Sequence, residues 1–176
     1  TSQNTLQQNR NSEISDSPSK NIYKAISTFT GAARRLEKIN TLPEIIAYKD
    51  FAHSPSKLMA TINAVSEQFP DKRLIACMEL HTFSATDSDF LSEFEGAMAK
   101  ADRPIIYMSD KAFEIKRKTK IEAKIIQENF KNEEIEVIRT PKSLLEKLNE
   151  EIKTDCVFLL MTSGNYDGVD WEVYFG

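Results

Sequence analysis

Glycine and cysteine are scarce in this 176-residue chain, and their scarcity excludes several kinds of site. The five glycines never fall in the Gly-x-x-x-x-Gly-Lys-Ser/Thr or Gly-x-Gly-x-x-Gly spacing, so the sequence carries neither a phosphate loop nor a dinucleotide-binding fingerprint. No Cys-x-x-Cys pair and no His-Glu-x-x-His segment occurs, so no metal site is expected. The two cysteines, Cys77 and Cys156, lie in apolar runs, which predicts buried, reduced thiols.

Long apolar runs and an excess of positive charge are also missing. No segment approaches the roughly 20 apolar residues that span a bilayer, and the polar amino end is unlike a signal peptide. We therefore expect a cytoplasmic protein without a membrane partner. The net charge of −4 gives no reason to expect a nucleic-acid partner. Hydrophobic residues make up 40% of the chain, enough to fill the core of one domain.

The chain does contain a regular alternation of apolar runs and amphipathic segments. Strands are predicted at 36–39, 45–48, 73–80, 104–108, 135–138 and 156–161. Helices are predicted at 21–30, 56–69, 90–101, 120–130 and from Pro141 to about 152. This order predicts an α/β fold: a Rossmann-like, mostly parallel sheet of about six strands, with helices on both faces and one antiparallel edge strand.

Three polar crossovers follow predicted strands, at 50–55, 79–84 and 162–168. If the strands are parallel, these crossovers leave the sheet at one edge, which is where open α/β sheets bind ligands. Both histidines of the chain, His53 and His81, fall in them. The sequence therefore predicts a polar rim that could carry a site.

The first crossover also has a simpler interpretation. Ser54 precedes Pro55, the order typical of a helix N-cap followed by the first helical residue, so the segment could be a capped turn and no more. Asp50 and His53 have no accompanying nucleophile in a strained elbow, so a hydrolase triad is not indicated. The residues of the polar rim therefore indicate half of an active site. A complete, independent active site is not predicted.

Three motifs in order resemble a known family. They are Gly-Ala-Ala-Arg-Arg-Leu-Glu at 31–37, Asp-Phe-Ala-His-Ser-Pro at 50–55 and Met-Thr-Ser-Gly-Asn-Tyr-Asp-Gly at 161–168. Over residues 21–176 the chain resembles the carboxy-terminal domain of the Mur ligases, the ATP-dependent amide-bond-forming enzymes of peptidoglycan synthesis. Its ending is similar to the branch that joins a diaminopimelate-containing peptide to UDP-N-acetylmuramate in murein recycling. The neighbouring UDP-N-acetylmuramate–L-alanine ligase branch is the alternative.

The resemblance implies a domain organisation and a set of partners. Residues 1–20 would be a polar tail or linker, 21–33 the last helix of a central ATPase domain, and 34–176 the domain that closes over the site. The full-length enzyme would use ATP and Mg²⁺, with neither held tightly by this domain alone. Its partners would be UDP-N-acetylmuramate, the peptide and the central domain, and this chain by itself would be inactive.

The resemblance also implies two groups of site residues, neither of which is a complete catalytic set. Arg35, Asp50 and His53 would contact the nucleotide. The incoming peptide would meet residues from all three crossovers: Ser54, Glu79, His81, Ser84, Thr162, Ser163 and Asn165. The chain departs from the family at 53–55, where the family often has His-His-Pro, and at 79–84, which lacks the usual arginine.

Two other hypotheses are open. A stand-alone α/β binding or signalling domain of the receiver type would need acidic neighbours for Asp50, which the sequence does not supply. A ligase that adds glutamate to folate would share the architecture, but Ala52-His53-x-Pro55 favours the muramyl branch. The basic cluster at 116–120 is interpreted as a solvated face, with anion binding as the alternative.

Overall fold

Six strands form one sheet in the computed structural model, which describes residues 36–39, 45–153 and 155–176. The strands are β1 Glu37–Lys38, β2 Ile45–Asp50, β3 Arg73–Glu79, β4 Arg103–Tyr107, β5 Glu136–Ile138 and β6 Cys156–Met161. Their order across the sheet is β1-β2-β6-β3-β4-β5. Only β1 and β2 pair antiparallel, and the other neighbours are parallel. The predicted α/β fold with one antiparallel edge strand is confirmed.

Strand β6 lies at the centre of the sheet because it is apolar on both faces. All six of its residues are buried. Val157, Leu159 and Met161 pack into one core cluster, whereas Cys156, Phe158 and Leu160 pack into another. This alternation follows from the two-residue repeat of a strand. Helices therefore cover both faces, as the sequence predicted.

Seven helices accompany these strands in the described part of the chain, and the last of them follows β6. They are α1 Pro55–Gln68, α2 Thr82–Thr86, α3 Ser88–Ser92, α4 Asp110–Ile115, α5 Ala123–Phe130, α6 Pro141–Glu151 and α7 Trp171–Phe175. None of the helices among the described residues is both long and apolar enough to cross a membrane. The predicted helix at 21–30 and the tail at 1–20 lie outside the described residues.

The predicted helix at 90–101 is wrong in its extent. Helix α3 ends at Ser92, and successive turns follow it. Gly96 interrupts the pattern because its φ of 71° lies in the left-handed region and its N–H donates to Phe130 O at 3.0 Å. Two further differences are short helices: α2 lies where a loop was predicted, and α7 where an apolar tail was predicted.

Buried side chains agree with the helical pattern at most positions. Both cysteines are buried and free, as predicted. Ile125, which was predicted to lie inside helix α5, is 43% exposed, whereas Ile126 and Phe130 are fully buried. Helix α5 begins at Ala123 and is shorter than predicted, so only part of its face contacts the core.

Candidate functional site

The three polar crossovers emerge side by side at one rim of the sheet. Asp50 and Met78 are both in register with Met161, so β2, β3 and β6 end at the same level. Thr162 N donates to Asp50 O at 3.0 Å. His81 Nε2 lies 2.9 Å from Ser163 Oγ. The prediction that these crossovers converge at the carboxyl ends of parallel strands is confirmed.

Asp50 is enclosed by donors of the protein itself. Its Oδ1 accepts from Ala52 N at 2.8 Å and from Thr61 Oγ1 at 3.3 Å, while Oδ2 accepts from Leu36 N at 2.8 Å. The residue is only 7% exposed. A carboxylate with these partners fixes the turn between β2 and α1 and ties it to the residue before β1. Its direct contact with a nucleotide stays a prediction.

His53 and Ser54 follow on the same turn. His53 Nδ1 lies 2.8 Å from Phe51 O, and the ring stands edge-on to Phe51 with centroids 4.9 Å apart. Because a carbonyl only accepts, Nδ1 carries the proton and Nε2 is the acceptor of the neutral ring. Ser54 occupies the N-cap position of α1, but its hydroxyl makes no capping hydrogen bond. The predicted N-cap position of Ser54, with Pro55 as the first helical residue, is therefore confirmed.

Glu79 ends β3 with a buried carboxylate that binds the third crossover. Its Oε2 accepts from Tyr166 N at 3.0 Å and, at close range, from Thr162 Oγ1. Thr162 Oγ1 in turn accepts from Gly164 N at 2.6 Å. A Cβ on Gly164 would lie 2.8 Å from Glu79 Oε2 and 2.8 Å from His81 Cε1, so any larger residue there would require one of these two side chains to move.

The remaining predicted residues have looser surroundings. His81 is the N-cap residue of α2, and Ser84 lies half-buried within that helix. Asn165 is exposed, and its backbone carbonyl accepts from Gly168 N and Val169 N at 2.9 and 3.2 Å. Arg35 lies outside the described residues, so its predicted nucleotide contact stays a prediction.

A third carboxylate at the rim, beside Asp50 and Glu79, was not predicted as a site residue. Asp167 Oδ2 accepts from Tyr107 Oη at 2.7 Å and from Ser109 Oγ at 2.6 Å. Burial, and then the adjacent Asp167 carboxylate, raise the pKa of Tyr107 above its usual value. Tyr107 and Ser109 lie at and just beyond the end of β4. The same strand-end argument, applied to β4, would have found them.

A cleft of about 160 Å³ separates the first crossover from the third. Its walls combine backbone with hydroxyl and aromatic groups, and are formed by Lys49, Asp50, Phe51, Thr162, Ser163 and Gly164. These groups can hydrogen-bond a polar ligand. Within the described residues, no three His, Cys, Asp or Glu side chains are arranged to hold a metal ion.

Comparison with known proteins identifies the family. The model of the "Mur ligase, glutamate ligase domain" family matches residues 34–164. A murein peptide ligase from Psychrobacter arcticus 273-4 is 22% identical with a TM-score of 0.62, over 82% of this chain and 30% of that one. The UDP-N-acetylmuramate–alanine ligase of Thermotoga maritima is 19% identical with a TM-score of 0.54, over 86% and 30%.

A third similar structure is a single domain from Haemophilus ducreyi 35000HP. It comes from a protein described as a UDP-N-acetylmuramate:L-alanyl-γ-D-glutamyl-meso-diaminopimelate ligase, and is 19% identical with a TM-score of 0.53, over 76% of this chain and 92% of that domain. The chain spans about 30% of the first two relatives. At these identities the likeness concerns the fold, and the family model, which covers most of the chain, supplies the assignment. This chain belongs to the Mur ligase family and has the fold of its carboxy-terminal domain.

Proposed function

We propose that this chain is the closing domain of an ATP-dependent ligase that joins a diaminopimelate-containing peptide to UDP-N-acetylmuramate in peptidoglycan recycling. The observation that supports this most is the convergence of three polar crossovers on one rim of a Mur ligase carboxy-terminal domain, with His81 Nε2 2.9 Å from Ser163 Oγ. The sequence has no phosphate loop, so the rim needs a central ATPase domain to complete the site.

In the proposed reaction, the rim covers the reacting groups and binds the incoming peptide. ATP supplies the phosphoryl group that activates a carboxylate, and the incoming amine displaces phosphate as it forms the amide and loses a proton. An acyl phosphate is labile in water, so a domain that closes over it protects the reaction. The hydroxyl of Ser163 and the imidazole of His81 can hydrogen-bond the polar groups of the incoming peptide.

The nucleotide side is proposed to comprise Arg35 and His53, with Asp50 acting mainly through the turn. Asp50 accepts from Leu36 N, Ala52 N and Thr61 Oγ1, which leaves it poorly suited as a magnesium ligand. Mg²⁺ would then be held by ATP and the central domain. His53 Nε2 is available to accept a hydrogen bond, and Arg35 would offset phosphate charge.

The competing hypotheses make different demands on the same residues. A receiver-type signalling domain needs an accessible phospho-accepting carboxylate, and Asp50 is 7% exposed. UDP-N-acetylmuramate–L-alanine ligase activity would use the same rim with a smaller acceptor, so only the choice of acceptor separates that alternative.

The test uses the full-length protein with UDP-N-acetylmuramate, ATP, Mg²⁺ and either a diaminopimelate tripeptide or L-alanine. We expect the tripeptide product by mass spectrometry, with stoichiometric phosphate release. His81→Ala should lower kcat/KM for the tripeptide about tenfold, the loss of roughly one hydrogen bond. Lys124→Ala, on an exposed side chain of α5, is the control that should change nothing. Product only with L-alanine would favour the alternative, and no product with either acceptor would contradict the proposal.

A further inference from the structure

The third crossover is held by a short chain of hydrogen bonds that begins at Glu79. We propose that Glu79 and Thr162 are positioning residues, which fix residues 162–167, the rim loop, so that Ser163 and Gly164 form one wall of the cleft. Both had been predicted to touch the substrate directly. Their effect on binding rests on the proposed function, whereas their effect on the loop does not.

The direction of this chain of hydrogen bonds follows from its donors and acceptors. A carboxylate only accepts, so Tyr166 N–H and Thr162 Oγ1–H both donate to Glu79 Oε2. Thr162 thereby uses its single hydroxyl proton. Its oxygen is left to accept the Gly164 N–H at 2.6 Å. The Glu79 carboxylate, on a neighbouring strand, thus holds Thr162 and Tyr166 directly and Gly164 through Thr162.

Burial makes these contacts strong and their loss costly. Glu79 is 7% exposed and Thr162 is 4% exposed. Hydrogen bonds are stronger where water is excluded, and a buried carboxylate without donors is strongly disfavoured. The contact also joins residues 83 positions apart in the sequence, so it fixes the loop to the sheet and not merely to itself.

The conformation of the rim loop requires such support. Tyr166 and Asp167 have φ of 49° and 57°, in the left-handed region that non-glycine residues seldom adopt. Two consecutive non-glycine residues keep this left-handed conformation only where the surrounding structure stabilises it. Besides its N–H bond to Glu79, Tyr166 places its hydroxyl 2.8 Å from Cys77 O and 2.9 Å from Met161 O.

The held loop brings ligand-facing groups into place. Ser163 follows Thr162 directly, and its Oγ lies 2.9 Å from His81 Nε2. Gly164 passes so close to Glu79 and His81 that a Cβ would approach both to 2.8 Å. If the loop relaxes, Ser163 separates from His81 and one wall of the cleft moves. Glu79 and Thr162 therefore act on a ligand through these neighbours.

The first test measures amide hydrogen exchange by mass spectrometry on the full-length protein, in wild type, Thr162→Val and Thr162→Ser. Valine keeps the shape without the hydroxyl, and serine keeps the hydroxyl. We expect Thr162→Val to accelerate exchange in peptides covering 162–167 about tenfold, with Thr162→Ser near wild type. Peptides from α5 report whether the fold is intact. Wild-type exchange at 162–167 in Thr162→Val would overturn the proposal.

If Thr162→Val accelerates amide exchange throughout the protein, including α5, a second variant, Glu79→Gln, decides the question. Glu79→Gln retains an acceptor oxygen but removes the charge. We expect local acceleration of about threefold at 162–167 with unchanged exchange in α5. Unchanged exchange at 162–167 in this variant would then overturn the proposal.

The kinetic test separates a positioning role from general destabilisation. In the full-length protein, Thr162→Val should raise KM for the peptide about tenfold, leave KM for ATP within about twofold, and be rescued by Thr162→Ser. A loop that loosens without a change in the peptide KM would contradict the binding role. A wild-type protein without ligase activity would contradict the proposed function, whereas the exchange result would still decide whether Glu79 and Thr162 position the loop.

Discussion

The Asp50 carboxylate joins three segments of the chain at the residue scale. Leu36 precedes β1, Ala52 lies in the turn after β2, and Thr61 lies in α1, and all three donate to it. Removal of a buried acceptor leaves its donors without partners, which destabilises a protein more than the loss of an exposed hydrogen bond. A loss of activity on substitution of Asp50 would therefore arise partly through the fold.

Asp50→Ala tests this role. We expect the free energy of unfolding to fall by about 3 kcal/mol, because two backbone amides and one hydroxyl lose a charged acceptor. Urea denaturation of wild type and variant measures the difference. Glu95→Ala, at an exposed carboxylate, should change stability by less than about 0.5 kcal/mol. Equal effects of the two substitutions would contradict the role of Asp50 as an anchor.

Cys77 supplies a prediction of pH dependence. Burial raises the pKa of its thiol from 9.0 to about 12. Between these values the unfolded chain loses the thiol proton while the folded protein keeps it, so stability falls as pH rises through this window.

The measurement compares the pH dependence of wild type with that of Cys77→Ala. The thiol should contribute a slope of about −1.4 kcal/mol per pH unit above pH 9, and the variant should lack this part. Buried Tyr166, whose pKa is raised first by burial and then by Cys77, adds a fall of the same sign in both proteins. Parallel curves for wild type and Cys77→Ala would contradict the assignment.

Some residues of the candidate site could be predicted from the sequence alone, because they directly follow a buried strand. His81 and Ser163 were predicted because each follows a buried strand, and both lie at the rim. Their mutual contact was not predictable, since 82 residues separate them. Ser54 occupies the N-cap position that the sequence predicted, but the sequence pattern did not reveal that its side chain makes no capping hydrogen bond.

At the scale of elements, helix α6 carries a buried carboxylate, paired with two partly exposed arginines, at the end of the sheet opposite the rim. Glu151 is 4% exposed. Its Oε2 lies 2.5 Å from Arg73 Nη2, and its Oε1 lies 3.4 Å from Arg103 Nε. Because Arg73 and Arg103 begin β3 and β4, this carboxylate joins a helix to two strands.

Glu151→Ala should be considerably more destabilising than its neighbour Glu150→Ala. Removing one partner of a buried pair costs about 3–5 kcal/mol, and the partly exposed arginines reduce this to roughly 2 kcal/mol. The Glu150 side chain is 71% exposed and pairs with Lys147 at 3.6 Å, so its loss should cost less than about 0.5 kcal/mol. Urea denaturation measures both variants. A Glu151→Ala effect as small as that of Glu150→Ala would contradict the structural role of this pair.

Periodicity predicted long elements better than short ones. The strands and the helices α1 and α6 carry enough turns or apolar residues to show their repeat. Helices α2 and α7 have five residues each, too few for a periodic pattern. Helix α3 was extended too far because Phe94, Ala97 and Met98 are buried at helical spacing, although Gly96 bends the backbone between them.

At the scale of the whole described unit, the sheet order creates the site. The last strand in sequence, β6, lies between β2 and β3, which brings the crossover after β6 next to the two earlier ones. The sequence predicted that the crossovers share an edge, because parallel strands end together. It did not predict which strands are neighbours, since the apolar character of β6 indicates a central position but not its partners.

The central claim is that this rim is one side of a ligase site whose other side belongs to a central ATPase domain. A crystal structure of the full-length protein with UDP-N-acetylmuramate, a non-hydrolysable ATP analogue and the tripeptide tests it most directly. The account predicts that His81 and Ser163 lie within about 4 Å of the bound tripeptide, at hydrogen-bonding or contact distance. A structure in which the rim faces solvent, away from both nucleotide and peptide, would contradict it.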